Sequence, residues 1–310
     1  MIQNHRIRSV GIVSGKGGVG KTSLSASLAS LACKDPKINA IVLDCDVDAP
    51  NLALILPPNS KNKINSKSIY TTLKATFLEE KCIQCKQCIN KHYCEFNALK
   101  WDSSNNVPYI NYIACEGCGS CQVLCPEHAF KINPVKSGEI ISYTTREGFP
   151  LIYGRTELGS TTSGKLVSES KESIKLLKEY EKSNLLLIDG PPGIGCPVIA
   201  TISGLDYVIT ITEPTPSGLH DLVRVLDVIH QFEIPFGIVI NKANIQSSFQ
   251  KKFDDFIAET KYNVLGKIPF DLNIPKAMSF AKTVIDYSRN SIASIEIMKI
   301  YEELKDELKL

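Results

Sequence analysis

The chain has 310 residues, room for two domains at about 150 residues each. Hydrophobic residues make up 43% and charged residues 22%, a globular balance that excludes disorder, collagen-like repeats and coiled coil as the main architecture. The 35 Lys and Arg against 33 Asp and Glu leave a net charge of +2, which argues against a protein built to grip nucleic acid. No apolar run reaches the roughly 18 residues of a membrane span. Met1–Val10 lacks the apolar core of a signal peptide, so the expected location is the cytoplasm.

In chain order, an apolar strand is predicted over Ile7–Val13, then a glycine-rich turn and a helix over Lys21–Cys33. Ala40–Leu43 is a second strand, and Pro57–Lys67 reads as a boundary loop. Ile69, Thr71, Leu73, Ala75 and Phe77 alternate, predicting a strand with that set on one face. Downstream, helices are expected over Gly164–Lys182, Ser217–Gln231, Phe249–Thr260 and Ser291–Leu308. Strands are expected over Leu185–Ile188, Tyr207–Thr212, Phe236–Ile240 and Val264–Ile268. Short apolar strands alternating with helices mean βαβ units around a parallel sheet covered on both faces.

Residues 15 to 22 read Gly15-Lys16-Gly17-Gly18-Val19-Gly20-Lys21-Thr22, followed by Ser23. This is the phosphate-binding pattern G-x-x-x-x-G-K-[ST], between a predicted strand and a predicted helix as the pattern requires. Glycines let backbone amides face phosphates, and the helix N-terminus adds its positive end. Lys21 is expected to reach the β- and γ-phosphates and Thr22 to hold Mg²⁺. Two acidic segments follow strands: Asp44-Cys45-Asp46-Val47-Asp48, and Asp189 leading into Gly190-Pro191-Pro192-Gly193.

The second lysine in the loop, Lys16, makes the motif resemble the deviant phosphate loop of the MinD, ParA, Mrp and nitrogenase iron-protein ATPases. That resemblance implies that Lys16 reaches across a homodimer closed around two ATP molecules and supplies charge in the transition state, as an arginine finger does. It also implies Asp46 orienting the attacking water, Asp44 near the magnesium, Asp189 around its hydration shell, and Gly193 sensing the γ-phosphate through its amide. Asn241-Lys242-Ala243-Asn244 stands where GTPases carry N-K-x-D. Asn244 lacks the guanine-accepting charge, which favours adenine. By resemblance Asn241 contacts the base, with Pro269 to Asp271 beside it.

Eight of the eleven cysteines lie between Cys82 and Cys125. Cys115-x2-Cys118-x2-Cys121-x3-Cys125-Pro126 matches the bacterial ferredoxin run. Cys82-x2-Cys85-x2-Cys88-x5-Cys94 keeps the first three spacings but lengthens the last and replaces the proline by Glu95. In a two-cluster fold the fourth cysteine of each run ligates the other cluster. Cys82, Cys85, Cys88 and Cys125 are therefore expected to hold one 4Fe–4S cluster, and Cys115, Cys118, Cys121 and Cys94 the other. Zinc is the alternative metal, but structural zinc prefers pairs of C-x2-C. Ile83, Ile89, Ile113 and Val123 fit a dry shell around the clusters, and His92 and His128 read as surface residues. Cys33 and Cys45 read as inert core thiols and Cys196 as a packed one.

The expected architecture is a doubly wound, mostly parallel α/β P-loop ATPase (1–60 and 137–310) with an inserted ferredoxin-like α+β domain (61–136). The expected function is ATP-dependent electron transfer through two clusters to an unidentified redox partner. An iron–sulfur cluster carrier and a MinD-like positioning ATPase are the alternatives. The acidic balance of the last helix speaks against stable membrane association.

Overall fold

Strands in chain order are β1 (Arg8–Ser14), β2 (Ala40–Asp44), β3 (Asn65–Ile69), β4 (Thr72–Phe77), β5 (Leu99–Asp102), β6 (Val107–Ile110), β7 (Phe130–Val135), β8 (Gly138–Thr144), β9 (Pro150–Thr156), β10 (Leu185–Pro192), β11 (Tyr207–Thr212), β12 (Phe236–Asn241) and β13 (Val264–Ile268). The helices are α1 (Lys21–Lys34), α2 (Leu52–Ile55), α3 (Gln87–Asn90), α4 (Ser120–Leu124), α5 (Ser163–Ser173), α6 (Cys196–Ile202), α7 (Pro216–Gln231), α8 (Gln250–Thr260), α9 (Asn273–Ser279), α10 (Val284–Tyr287) and α11 (Ile292–Leu308). This computed structural model describes residues 7–60, 64–160, 163–245 and 249–310. The signal-peptide reading of Met1–Val10 falls mostly outside them.

The chain divides into two compact units. The first comprises Met1–Ser66, Ile140–Arg155 and Val167–Leu310; the second comprises Lys67–Glu139 and Thr156–Leu166. The main sheet runs β13-β12-β11-β1-β10-β2-β9-β8-β3. The pairs β1–β10, β1–β11, β10–β2, β11–β12, β12–β13 and β2–β9 are parallel. β2 and β11 are buried along their whole length; Ala40–Leu43 accordingly reads as an unbroken apolar run, while β11 interleaves Thr210 and Thr212 with apolar residues. One apolar core holds Ile12, Leu24, Leu28, Val42, Leu187 and Ile209 with the inner face of α11.

The predicted elements reappear with shifted ends, and three readings change. The helix expected over Gly164–Lys182 ends at Ser173 and gives way to two 3₁₀ turns, Ile174–Leu176 and Tyr180–Lys182. The boundary loop expected over Pro57–Lys67 contains the start of β3; 61–63 lie outside the described residues. The alternating set Ile69 to Phe77 is broken between β3 and β4; Ile69 and Ala75 of the set are buried and Phe77 packs on the cysteine core, but β4 also buries Thr72 and Lys74 on its other face. Leu73 is 47% exposed while Lys74 is 3% exposed.

The second unit is built from two antiparallel pairs, β4–β7 and β5–β6. Its cysteine runs share a backbone pattern. Gln84 and Lys86 in the first run and Gly117 and Gly119 in the second all have positive φ, at equivalent places between the cysteines. At Gly117 a side chain is also excluded by space, since a Cβ would sit 2.2 Å from Leu73 O. Asn97 and His128 have φ of 53° and 50°, each three residues after the last cysteine of its run. The two extra residues before Cys94 are thus absorbed upstream, around His92, whose φ is 49°.

Candidate functional site

α1 is preceded by Gly20 as its N-cap residue, with φ 95°, and no side chain caps it. Its first-turn N–H groups therefore have no intrahelical or side-chain acceptor and remain for a ligand. Each loop glycine has its own reason. A Cβ on Gly15 would sit 2.4 Å from Asp221 O, and one on Gly20 would sit 2.4 Å from Asn241 Nδ2. Gly17 and Gly18 have nothing within 4 Å, so they leave the open side of the loop bare. A cleft of about 490 Å³, ordinary for a small-molecule site, is lined by Gly18, Gly20, Lys21, Thr22, Asn51 and Met278 among others. Ser23 donates to Met278 Sδ at 3.3 Å. A more open depression of about 690 Å³ lies along α1 and α11, but its Lys34 and Lys305 are paired with Asp286 and Asp35.

Lys21 Nζ lies 3.9 Å from both Asp46 Oδ2 and Asp189 Oδ1. Asp44 and Asp189 are register partners on β2 and β10, 0% and 1% exposed. Asp44 accepts the N–H groups of Asp46 and Leu52 at 2.9 and 3.0 Å. Burial first, then the neighbouring Asp189 carboxylate, push the Asp44 carboxyl well above the usual carboxylate range. Burial also raises Asp46, with Lys21 pulling it back and Asp189 adding to the rise. Asp189 accepts Ser25 Oγ at 2.7 Å through Oδ1, while its buried Oδ2 has no partner. A buried anionic set with an orphaned oxygen fits a hydrated cation. Mg²⁺ keeps several waters and takes few protein ligands, so three carboxylates need not meet at one point.

Four expected site residues are placed differently from their sequence reading. Lys16 Nζ turns onto its own chain, 3.1 Å from Ser217 Oγ and 3.8 Å from Glu213 Oε2. Glu213 also holds Lys242 Nζ at 2.6 Å. The Gly193 amide is satisfied by Ser14 O at 2.8 Å, so reaching a γ-phosphate requires giving up that bond. Asn241 ties the loop: its Nδ2 donates to Val19 O at 2.7 Å, and its Oδ1 accepts Lys242 N. Asp271, expected beside the base with Pro269, turns inward and accepts the N–H groups of Asn273 and Ala293. Glu213 belongs to the segment Thr212-Glu213-Pro214-Thr215, which carries part of the family resemblance but implied no role for it, and Ser217 has no spacing signal that would mark it.

In the second unit the cysteines gather into two groups. One cavity is lined by Cys82, Cys85, Cys88 and Cys125, with Trp101 and Pro108. The other is lined by Cys94, Cys115, Cys118 and Cys121, with Ala75. Burial pushes Cys88 up to about 11, with Cys82, Cys85 and Cys125 adding to it. Cys121 rises to about 11 by burial, then by Cys115, Cys118 and Cys94. Thiols this close resist ionising together, and a metal centre is what reverses that. Backbone N–H groups of Ala75, Ala98 and Ala129 point at the sulfurs of Cys115, Cys94 and Cys125, at 3.4, 3.3 and 3.5 Å. Trp101 Nε1–H is buried without a partner, and a sulfur-rich anionic cluster accepts such a donor.

Among the described residues no three His, Cys, Asp or Glu side chains converge on one metal ion. The cysteines instead line two small cavities, four to each. The dry shell expected around them is thinner than its sequence reading: Ile83, Ile113 and Val123 are 64%, 76% and 77% exposed, and of the four only Ile89 packs against the cysteine core. Of the remaining thiols, Cys45 is buried, Cys33 half-buried and donating to Glu147 O, and Cys196 exposed at the start of α6 instead of packed.

The CobQ/CobB/MinD/ParA nucleotide binding domain matches residues 10–284. The chain belongs to that family. It is 36% identical to the Uncharacterized protein MJ0578 of Methanocaldococcus jannaschii, over 97% of each chain. It is 23% identical to an iron-sulfur cluster carrier protein of Pyrococcus abyssi, over 97% of this chain and 86% of that one. In fold it is similar to the septum site-determining protein MinD of Pyrococcus horikoshii, solved with Mg-ADP: TM-score 0.57, 19% identity, 96% of each chain. The mostly parallel P-loop sheet of this MinD/ParA-family chain is thus shared with its structural neighbours. No helix among the described residues is long and apolar enough to cross a membrane.

Proposed function

We propose that the chain binds and hydrolyses ATP and couples its nucleotide state to electron transfer through two 4Fe–4S clusters. The observation that carries this reading is the pair of cavities, each lined by four cysteines, in a chain that also forms a phosphate-loop cleft. Cys82, Cys85, Cys88 and Cys125 hold one cluster, and Cys115, Cys118, Cys121 and Cys94 the other. When bound, each cluster supplies a one-electron centre. Lys21 and the amides of Gly15 to Thr22 bind the phosphates, and the Thr22 hydroxyl takes the Mg²⁺. Asp46 orients water, Asp44 and Asp189 hold the hydrated cation, and Lys16 leaves Glu213 to serve the partner's nucleotide in a homodimer.

The test is an anaerobic redox titration of the cluster signals with MgATP, with MgADP and with neither. A nucleotide-dependent shift in potential or line shape is the expected result. Identical curves in all three conditions sink the coupling at equilibrium.

The carrier reading draws on the named relatives at 23% identity. Against it stand the buried thiols Cys88, Cys115, Cys121 and Cys125, half of the eight assigned ligands, of which Cys115 and Cys125 accept backbone N–H groups. Quantitative cluster transfer to an apo-protein reverses this ranking. The positioning reading finds no support in α11, whose Ile297, Ile300, Leu304 and Leu308 face the core.

Base choice is read at Asn244. Its Oδ1 accepts Phe270 N at 2.6 Å, which fixes the amide orientation and leaves the NH₂ as the free end. Guanine presents two donors, against which the amide offers only the second lone pair of an oxygen already accepting Phe270 N. Asn244→Asp keeps the bond to Phe270 and adds a free acceptor oxygen. GTP affinity relative to ATP is expected to rise about tenfold, or about 1.4 kcal/mol, in competition binding. An unchanged ratio removes Asn244 from base recognition.

A further inference from the structure

Lys74 is the most deeply buried lysine of the second unit, 3% exposed on β4. Its Nζ donates to Cys115 O at 2.6 Å and to Gly159 O at 3.3 Å. Both partners are neutral carbonyls, with no carboxylate among them. A buried ammonium is costly unless a negative charge compensates it. In the two-cluster reading, the thiolates and sulfides of a cluster held by Cys115 would supply that charge. The next residue, Ala75, aims its N–H at Cys115 Sγ, 3.4 Å away.

The internal repeat supplies the comparison. Ala75 stands seven residues before Cys82, and Pro108 stands seven before Cys115. Each lines the cavity of the opposite run, Ala75 with Cys115 and Pro108 with Cys82. Proline has no N–H, so this donor to sulfur is missing at the first cavity. The counterpart of Lys74 is Val107, which carries no charge. The repeat therefore places a buried cation beside one cavity, on the carbonyl of its ligand Cys115, and gives that cavity two N–H donors to sulfur, from Ala75 and Ala98, whereas the other has one, from Ala129, and no buried cation.

The remaining groups do not cancel this difference. Each cavity has one exposed acid, Glu127 at the first and Glu116 at the second. Lys86, 5.0 Å over the Trp101 ring, is exposed and screened by solvent. The Trp101 N–H is a dipole, weaker than the full charge of Lys74 at low dielectric. Positive charge and hydrogen bonds to sulfur favour the reduced, more negative state of a cluster.

We propose that Lys74 sets the order of reduction: the cluster of Cys115, Cys118, Cys121 and Cys94 has the higher potential and takes the first electron from a one-electron donor. This rests on the two-cluster reading above. The test is an EPR-monitored potentiometric titration of the full chain, prepared anaerobically, as wild type, Lys74→Met, Lys74→Arg and Cys118→Ser. Cys118→Ser alters a ligand and marks which signal belongs to that cluster. The wild type shows two midpoints, the upper one on the marked signal. At the wild-type upper midpoint, Lys74→Met lowers the reduced-to-oxidised ratio at least about tenfold, a shift of about 59 mV for one electron. The lower midpoint stays in place, and Lys74→Arg keeps the upper one.

Three results overturn the proposal: one shared midpoint in the wild type, the marked signal titrating lower, or Lys74→Met with intact clusters and an unmoved upper midpoint. The first two need only wild type and Cys118→Ser, so they decide even where Lys74→Met does not fold. Iron and sulfide analysis of the wild type separates the failures. Absent clusters sink the two-cluster reading itself, whereas present clusters with unmoved midpoints sink only the role of Lys74.

Discussion

Lys16→Ala and Asp46→Asn are each expected to lose ATP hydrolysis while still binding nucleotide. For Lys16 the expected fall is about a thousandfold or more, the usual worth of a charge delivered to a transferring phosphoryl group. The geometry makes the variant clean. Lys16 touches only Ser217 and Glu213, and Glu213 keeps Lys242 at 2.6 Å after Lys16 is gone. No buried charge is stranded, so the fold and the phosphate cradle persist. Asp46→Asn removes the carboxylate that orients water, an effect of about 10² to 10⁴. Lys21 retains Asp189 as its partner, so the phosphate lysine stays in place.

A pH profile adds a second readout. Burial raises Asp46, so the acid limb of the wild-type rate is expected at higher pH than for an ordinary aspartate. The sign follows from role: water orientation needs the ionised form, which is lost as pH falls through the raised pKa. Steady-state hydrolysis and nucleotide-binding assays check both variants. Near-normal turnover in either removes that residue from the mechanism.

Cys94→Ala is expected to damage one cluster and spare the other. The sequence made Cys94 the weakest ligand assignment, because its spacing is two residues too long. The structure lines it up with Cys115, Cys118 and Cys121 around one cavity, its sulfur accepting Ala98 N at 3.3 Å. Ala129 N stands in the same relation to Cys125 at the other cavity. Without the thiolate, one corner iron has no protein ligand. Iron per chain is expected to fall by at least one from about eight, with the change confined to one EPR signal. Cys196→Ala, which removes an exposed thiol outside both cavities, is expected to leave iron and both signals unchanged. Full iron content in Cys94→Ala removes it as a ligand.

The sequence by itself carried whatever rests on short, local spacing. The phosphate loop was legible because strand, glycine turn, lysine and helix are contiguous, and a helix N-terminus with no side-chain cap follows from them. The parallel sheet was legible because strands buried on both faces must be uniformly apolar. The cysteine runs were legible because closely spaced thiolates need a fixed local turn, which Gln84, Lys86, Gly117 and Gly119 supply through positive φ.

What only the tertiary structure decided is which distant groups meet. Asn241 holds the loop because β12 brings it to Val19, more than two hundred residues away in sequence. Asp44 and Asp189 press together because β2 and β10 are in register, and no local pattern encodes that register. Lys74 was hidden for a further reason. Apolar alternation assigns the buried face of a strand by hydrophobicity, and on β4 it pointed to Leu73. Lys74 is buried on the other face from Ala75 because its ammonium finds the carbonyls of Cys115 and Gly159, partners that come together only once both loops have folded around it.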